Sequence, residues 1–208
     1  MKIIVTGATG TIGSAVLQQA IENPAVTSII ALTRRPVDTS STKVKNIIHT
    51  DFLQYDDAVV SELKGAQACI WALGSPTSGK VVHIDYTLAA IDMCQTRLVP
   101  ELKKGQKFRF VYTSGGAVPY LETVGSFLFG AIKALDRDIC AVADKNPQSW
   151  ESVVVRPWFV RDDAPTLPMG YILRPELGAA MVDAALNGCP TQILPNAEAK
   201  AKGQAALK

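Results

Sequence analysis

Short, nearly continuous apolar runs alternate along this chain with longer segments whose apolar positions recur at helical spacing. Residues 2–6 predict a first strand, and residues 12–22 a helix that Asn23-Pro24 ends. Thr27 to Thr33 predicts a second strand, and the Pro-, Ser- and Thr-rich stretch 35–43 a loop. Val44 to His49 predicts a third, shorter strand, Asp56 to Leu63 a short helix ending near Gly65, and Gln67 to Leu73 a buried strand closed by Gly74. His83 to Leu98 carries helical periodicity in Ile84, Leu88, Ile91 and Cys94 or Gln95. Phe108 to Thr113 is a fifth strand before Ser114-Gly115-Gly116, residues 122–144 a long helix, and Ser152 to Val155 a sixth strand that Arg156-Pro157 stops. Glu176 to Leu186 is a last helix capped by Asn187-Gly188, Gln192 to Leu194 a short strand, and the Ala- and Lys-rich tail from Asn196 reads as peripheral.

Apolar strands alternating with helices imply an α/β fold whose parallel sheet is covered on both faces. Crossover handedness then makes it doubly wound, with strand order 3-2-1-4-5-6. No repeat or second core is visible, so residues 1–208 read as one domain.

Composition narrows the function. The chain is 48% hydrophobic and 19% charged with a net charge of +2, which gives no electrostatic reason for nucleic acid or a membrane as partner. The cluster Lys103, Lys104, Lys107 and Arg109 reads as a solvated connection. Cys69, Cys94, Cys140 and Cys189 are scattered without metal-ligand or redox spacing, and three of them lie in apolar runs as buried thiols. Met1-Lys2 leads straight into a strand and no apolar run reaches membrane length, so the expected setting is cytoplasmic.

The chemistry begins at Gly7-Ala8-Thr9-Gly10-Thr11-Ile12-Gly13, between the first strand and the first helix. Glycines in that position let a turn tighten, a phosphate approach the backbone and helix pack on strand, and the helix N-terminus favours an anion. At the end of the second strand, where an acidic residue would bind ribose hydroxyls, the chain has Thr33-Arg34-Arg35. Two guanidiniums suit a phosphate dianion, so the expected cofactor is NADP(H). Asp51, past the third strand, is placed to accept a hydrogen bond from adenine.

These pieces, with Asp51-Phe52, Ala72-Leu73-Gly74, Tyr112-Thr113-Ser114-Gly115-Gly116, Lys133 and Arg156-Pro157, resemble the short-chain dehydrogenase/reductase superfamily. The nearest likeness is to its atypical branch of NmrA-like and nucleotide-sugar-epimerase-like proteins. The resemblance covers nearly the whole chain and implies a Rossmann fold with Phe52, Ala72, Leu73, Gly74 and Pro157 along the dinucleotide. It further implies that Ser114 contacts the substrate oxygen and that Lys133 holds the nicotinamide ribose. In active members a Tyr four residues before that Lys is the acid; here the position is Phe129, which has no hydroxyl to donate.

Tyr120, in the loop after Ser114, and Tyr86, near the start of the following helix, are the substitute donors weighed, with Tyr112 as core or cleft wall. His49 and His83 read as surface or helix-start residues, Asp136 and Asp138 as solvated, and Trp71 as core. Trp158 and Phe159 fit a pocket wall. Residues 157–175, with Met169-Gly170-Tyr171-Ile172, are the candidate lid. So short a C-terminal region implies a small or open pocket for a small-molecule substrate, or one completed in a homodimer. Three readings stay open: an NADP(H)-dependent oxidoreductase with a modified acid, a non-redox isomerase, dehydratase or cyclase on the same scaffold, and a dinucleotide-sensing regulator.

Overall fold

The computed structural model describes residues 1–74, 78–119, 127–165 and 170–208, with residues 127–129 described as backbone. Seven strands form one parallel sheet: β1 (Lys2–Thr6), β2 (Ser28–Thr33), β3 (Val44–Ile48), β4 (Ala68–Trp71), β5 (Phe108–Thr113), β6 (Trp150–Arg156) and β9 (Ile193–Pro195). Their order is β3-β2-β1-β4-β5-β6-β9, the expected doubly wound order with one strand added at the edge. β7 (Phe159–Arg161) and β8 (Tyr171–Leu173) pair in parallel as a separate two-stranded ribbon. This places Tyr171 and Ile172 of the candidate lid in a strand, while Met169 lies outside the described residues.

Strand residues alternate between two cores because successive side chains point to opposite faces. Ile3, Val5, Ile29 and Ala31 face α1 (Thr11–Glu22) and α5 (Arg174–Asn187), with Val16, Leu17, Leu177 and Met181 closing the layer. Ile4, Ile30, Leu32, Trp71 and Phe110 face the other layer, built from α2 (Asp57–Leu63), α3 (Tyr86–Met93) and α4 (Phe127–Lys145). Each fully buried Ile or Leu contributes about 1.5–3 kcal/mol. Trp71 is core as expected, stacked on Phe110 with centroids 6.0 Å apart. The predicted helix over His83 to Leu98 begins and ends in wide π turns, Val81–Asp85 and Cys94–Leu98, around α3.

Two expectations are corrected here. The tail is not peripheral: it forms α6 (Asn196–Ala206), which packs along α5 with Ala199 and Gly203 buried. A Cβ at Gly203 would collide with the Glu176 carbonyl, so only glycine allows that crossing. Glu176 is itself buried; it accepts from the Leu173 amide (2.9 Å) at the start of α5 and from Gln204 of α6 (2.8 Å). Nor is Arg109 solvated. It is half-buried, paired with Glu151 at 2.9 Å and bonded to the Leu186 carbonyl. Of the cysteines, Cys69 and Cys94 are buried and Cys140 and Cys189 half-buried. Among the described residues no helix is long and apolar enough to cross a membrane.

Candidate active site

The strands β1, β2, β4, β5 and β6 run in parallel, so their C-terminal ends meet along one edge of the sheet, where a doubly wound fold opens its ligand crevice. Gly7 leaves β1 at φ +66°, a left-handed conformation, and a Cβ there would collide with the Ala72 carbonyl beyond β4. The turn closes with the Gly10 amide donating to the Gly7 carbonyl at 2.8 Å. Gly10 is the N-cap of α1 and brings no capping side chain, which leaves first-turn amides for a ligand. A Cβ at Gly13 would strike the Gly7 carbonyl, so this glycine sets the contact of helix on strand. Among the described residues a Cβ at Gly10 would meet only the Gly7 carbonyl oxygen, at 3.2 Å.

A groove of about 220 Å³ runs past this turn, lined by Gly7, Thr9, Gly10, Thr33, Arg34, Arg35, Ala72, Leu73, Gly74, Ser78 and Val82. The Thr33 hydroxyl donates to the Arg35 carbonyl at 2.7 Å and fixes the loop bearing both exposed arginines. Phosphate-binding backbone and a guanidinium pair thus share one groove, and the residues present fit a dinucleotide. Thr11 is exposed on the first turn of α1, and Ile12 faces the adjoining cavity.

That cavity, about 400 Å³, shares the wall Ala72-Leu73-Gly74 with the groove. Its lining is mostly apolar: Ile12, Tyr112, Val118, Ile132, Pro157, Trp158 and Val160, with Thr113, Ser114, Gly115 and His83. The Ser114 amide donates to the Val155 carbonyl (2.8 Å) and the Gly116 amide to the Pro157 carbonyl (2.7 Å), joining the loops after β5 and β6. Trp158 therefore walls the pocket, whereas Phe159 stands half-exposed in β7.

Ser114 does not present its proton to the cavity. Its hydroxyl donates to Asp136 Oδ2 at 3.0 Å, and the same oxygen accepts from Arg156 Nε (2.9 Å) and Nη2 (2.8 Å). Asp136 is 1% exposed, so the expectation of a solvated carboxylate is overturned. Burial pushes its carboxyl above the usual range, and the hydrogen bonds from Arg156 and Ser114 pull in the opposite direction. The signal was present in the helix phase: Asp136 falls between Ile132 and Ile139, both buried on the apolar stripe of α4.

His83 stands in the opening turn of its helical segment, one of the two places the sequence allowed, and there it lines the cavity. The other histidine departs from the sequence reading. His49 is 8% exposed, stacked on Tyr55 and edge-on to Phe52, each 4.8 Å away. Burial lowers its pKa, and its Nε2 has no hydrogen-bond partner among the described residues. The unfolded chain therefore binds the proton more readily than the folded one. Stability attributable to His49 is present above the unfolded value of 6.5 and is lost as pH falls below it. Denaturant titrations between about pH 7.5 and pH 5 should show this slope, and His49→Gln should flatten it.

Other candidates separate. Phe52 is fully buried, so its side chain supports the loop rather than lining the groove. Asp51 is exposed, accepts from the Leu53 amide at 3.0 Å, and lines a different cavity with His49 and Tyr55. Tyr86 packs against Phe52 (5.7 Å) and is not among the residues lining the apolar cavity. Tyr120 and the Phe129 side chain lie outside the described residues. Lys133 is half-buried on α4, next to the cavity residue Ile132. Among the described residues no three His, Cys, Asp or Glu side chains are grouped to hold a metal.

Residues 7–166 match the family described as NAD(P)H-binding, and the chain belongs to that family. Leucinostatins biosynthesis cluster protein T of Purpureocillium lilacinum is 34% identical over 116 residues, 55% of this chain and 42% of that protein. Protein FMP52, mitochondrial, of Candida albicans is 32% identical over 77 residues, 36% of this chain and 34% of that protein. The matches thus span less than half the length of either relative. Among solved structures, a short-chain dehydrogenase/reductase of Saccharomyces cerevisiae superposes with TM-score 0.71 at 14% identity, covering 94% of this chain and 95% of that one. Uronate dehydrogenase from Agrobacterium tumefaciens gives 0.68 at 15% identity, covering 91% of this chain and 73% of that one. The fold is that of these short-chain dehydrogenase/reductase structures, and the family match indicates a nicotinamide dinucleotide as cofactor.

Proposed function

We propose that this protein is an NADP(H)-dependent oxidoreductase acting on a small, largely apolar organic substrate. The observation that carries the reading is the shared wall Ala72-Leu73-Gly74: one side faces a groove with Gly10, Arg34 and Arg35, the other an apolar cavity with Ser114. A bound reduced dinucleotide supplies a hydride. Arg34 and Arg35 would hold its 2′-phosphate, the first turn of α1 its pyrophosphate and Lys133 its ribose. Asp51 remains the residue offered to the adenine. The apolar lining excludes water and favours a cyclic enone or aromatic aldehyde over a sugar.

Arg34→Asp removes a charge-assisted pair worth about 1.5–3 kcal/mol, so NADPH affinity should fall roughly 10- to 100-fold. NADH affinity should hold or rise. Calorimetric titration with both cofactors checks this, and equal affinities in the wild type would sink the NADP(H) assignment. Phe129 is the feature favouring the dinucleotide-sensing alternative. NADPH consumption with a panel of carbonyl, enone and imine compounds separates the two, because a sensor binds the cofactor without consuming it.

A further inference from the structure

We infer that His83 is the proton donor of the cleft: its imidazole, not Ser114, delivers a proton to the substrate held in the apolar cavity. The inference rests on the oxidoreductase reading above. Reduction of a carbonyl or an enone places a negative charge on oxygen, and apolar walls leave that charge poorly solvated. A proton delivered at that oxygen relieves the charge, and position 129 holds a phenylalanine.

Besides the Trp158 indole, whose N–H is far too weak an acid, four protic side chains line the cavity among the described residues: Tyr112, Thr113, Ser114 and His83. The Thr113 hydroxyl is directed to Met181 Sδ at 3.6 Å. The Ser114 proton is committed to Asp136, so the serine has none to give the substrate oxygen. Tyr112 is 2% exposed, and burial, with the Asp136 charge, holds its phenol far above its ordinary range. His83 brings the imidazole of this lining, a ring whose nitrogens can carry and hand over a proton.

Local structure places that ring at the junction of groove and cavity. Gly74 adopts φ +138°, and a Cβ there would sit 2.8 Å from His83 Cε1 and 3.0 Å from Nδ1. The absent side chain at Gly74 is what admits the imidazole to the wall shared with the dinucleotide groove. The balance is simple. The two electrons of reduction come from the reduced nicotinamide dinucleotide. One imidazolium N–H bond breaks as the substrate O–H bond forms, the N–H electron pair stays on the ring, and solvent returns the proton to the half-exposed imidazole.

The test uses NADPH with cyclohex-2-enone and benzaldehyde as probes, on the wild type, His83→Ala and His83→Gln. Both variants should lose about 100-fold or more in kcat/KM. NADPH affinity, followed by its fluorescence, should change by less than about twofold, because His83 is not a phosphate or ribose ligand in this assignment. Added imidazole should restore activity to His83→Ala by occupying the space against Gly74. The chain has two histidines, so loss of one ring signal in His83→Gln assigns the NMR spectrum. In the wild type with NADP⁺, the His83 ring resonance should move when the enone binds, while that of His49 should not. Variants as active as the wild type overturn the assignment of His83 alone. So does a loss that imidazole cannot rescue and that NADPH affinity shares, since that describes a structural residue. A wild type that binds NADPH but turns over neither probe overturns the oxidoreductase reading and this inference with it.

Discussion

Gly10→Val will abolish dinucleotide binding and leave the domain folded, whereas Gly13→Val will unfold it. The glycines stand three residues apart, and sequence alone treats them alike. Their surroundings do not. Gly10 is in extended backbone at φ −96°, where any residue is allowed, and its Cβ would face open groove apart from the Gly7 carbonyl oxygen at 3.2 Å. Valine there costs at most about 1–2 kcal/mol as a poor N-cap, but its methyls occupy the space a pyrophosphate needs. At Gly13 the Cβ would enter the carbonyl of Gly7, a residue itself packed closely against the Ala72 backbone. Neither backbone can withdraw without separating α1 from β1 or β1 from β4, so the cost is about 3 kcal/mol or more. Thermal melts with and without NADPH check both variants. Gly10→Val should melt near the wild type and gain nothing from cofactor. A Gly10→Val protein still stabilised by NADPH would mean that the phosphates lie elsewhere.

Asp136→Asn should destabilise the protein by about 3 kcal/mol, toward the lower end of the 3–5 kcal/mol typical of breaking a buried pair from one side. The Arg156 guanidinium is 16% exposed and donates twice to the one Asp136 oxygen, so the amide leaves a buried cation without a counter-charge. Replacing both partners, as Asp136→Asn with Arg156→Met, should recover much of the loss, because the orphaned charge is gone. Activity should not recover in the double variant. Ser114 then lacks the carboxylate that fixes its hydroxyl in the cavity wall. Urea denaturation and NADPH turnover separate the two effects. A double variant as unstable as Asp136→Asn would place the cost in lost packing rather than in unpaired charge.

The sheet was legible because its signals are local. Strands such as Ser28–Thr33 and Phe108–Thr113 carry apolar residues on both faces, which happens where both are covered, and right-handed crossovers leave few ways to order them. The glycine turn and Arg34-Arg35 were equally plain, since backbone needs and charge are written in residue type. The short strands Phe159–Arg161 and Tyr171–Leu173 were not, because three residues carry no measurable period. The role of α6 was also hidden. Its fit against α5 depends on Gly203 lying opposite Glu176, a contact between residues far apart in sequence.

The sequence by itself determined the doubly wound architecture, the glycine turn after the first strand, the guanidinium pair and the absence of a hydroxyl at position 129. Each follows from the period of apolar positions or from the chemistry of a single side chain. Tertiary structure decided which polar groups share a space. Asp136 read as solvated until α4 turned it inward beneath Ser114, and His83, a surface or helix-start residue by sequence, reaches the groove only because Gly74 makes room for it. Hydrogen-bond direction and burial are properties of neighbours brought together by folding, and no residue carries them alone.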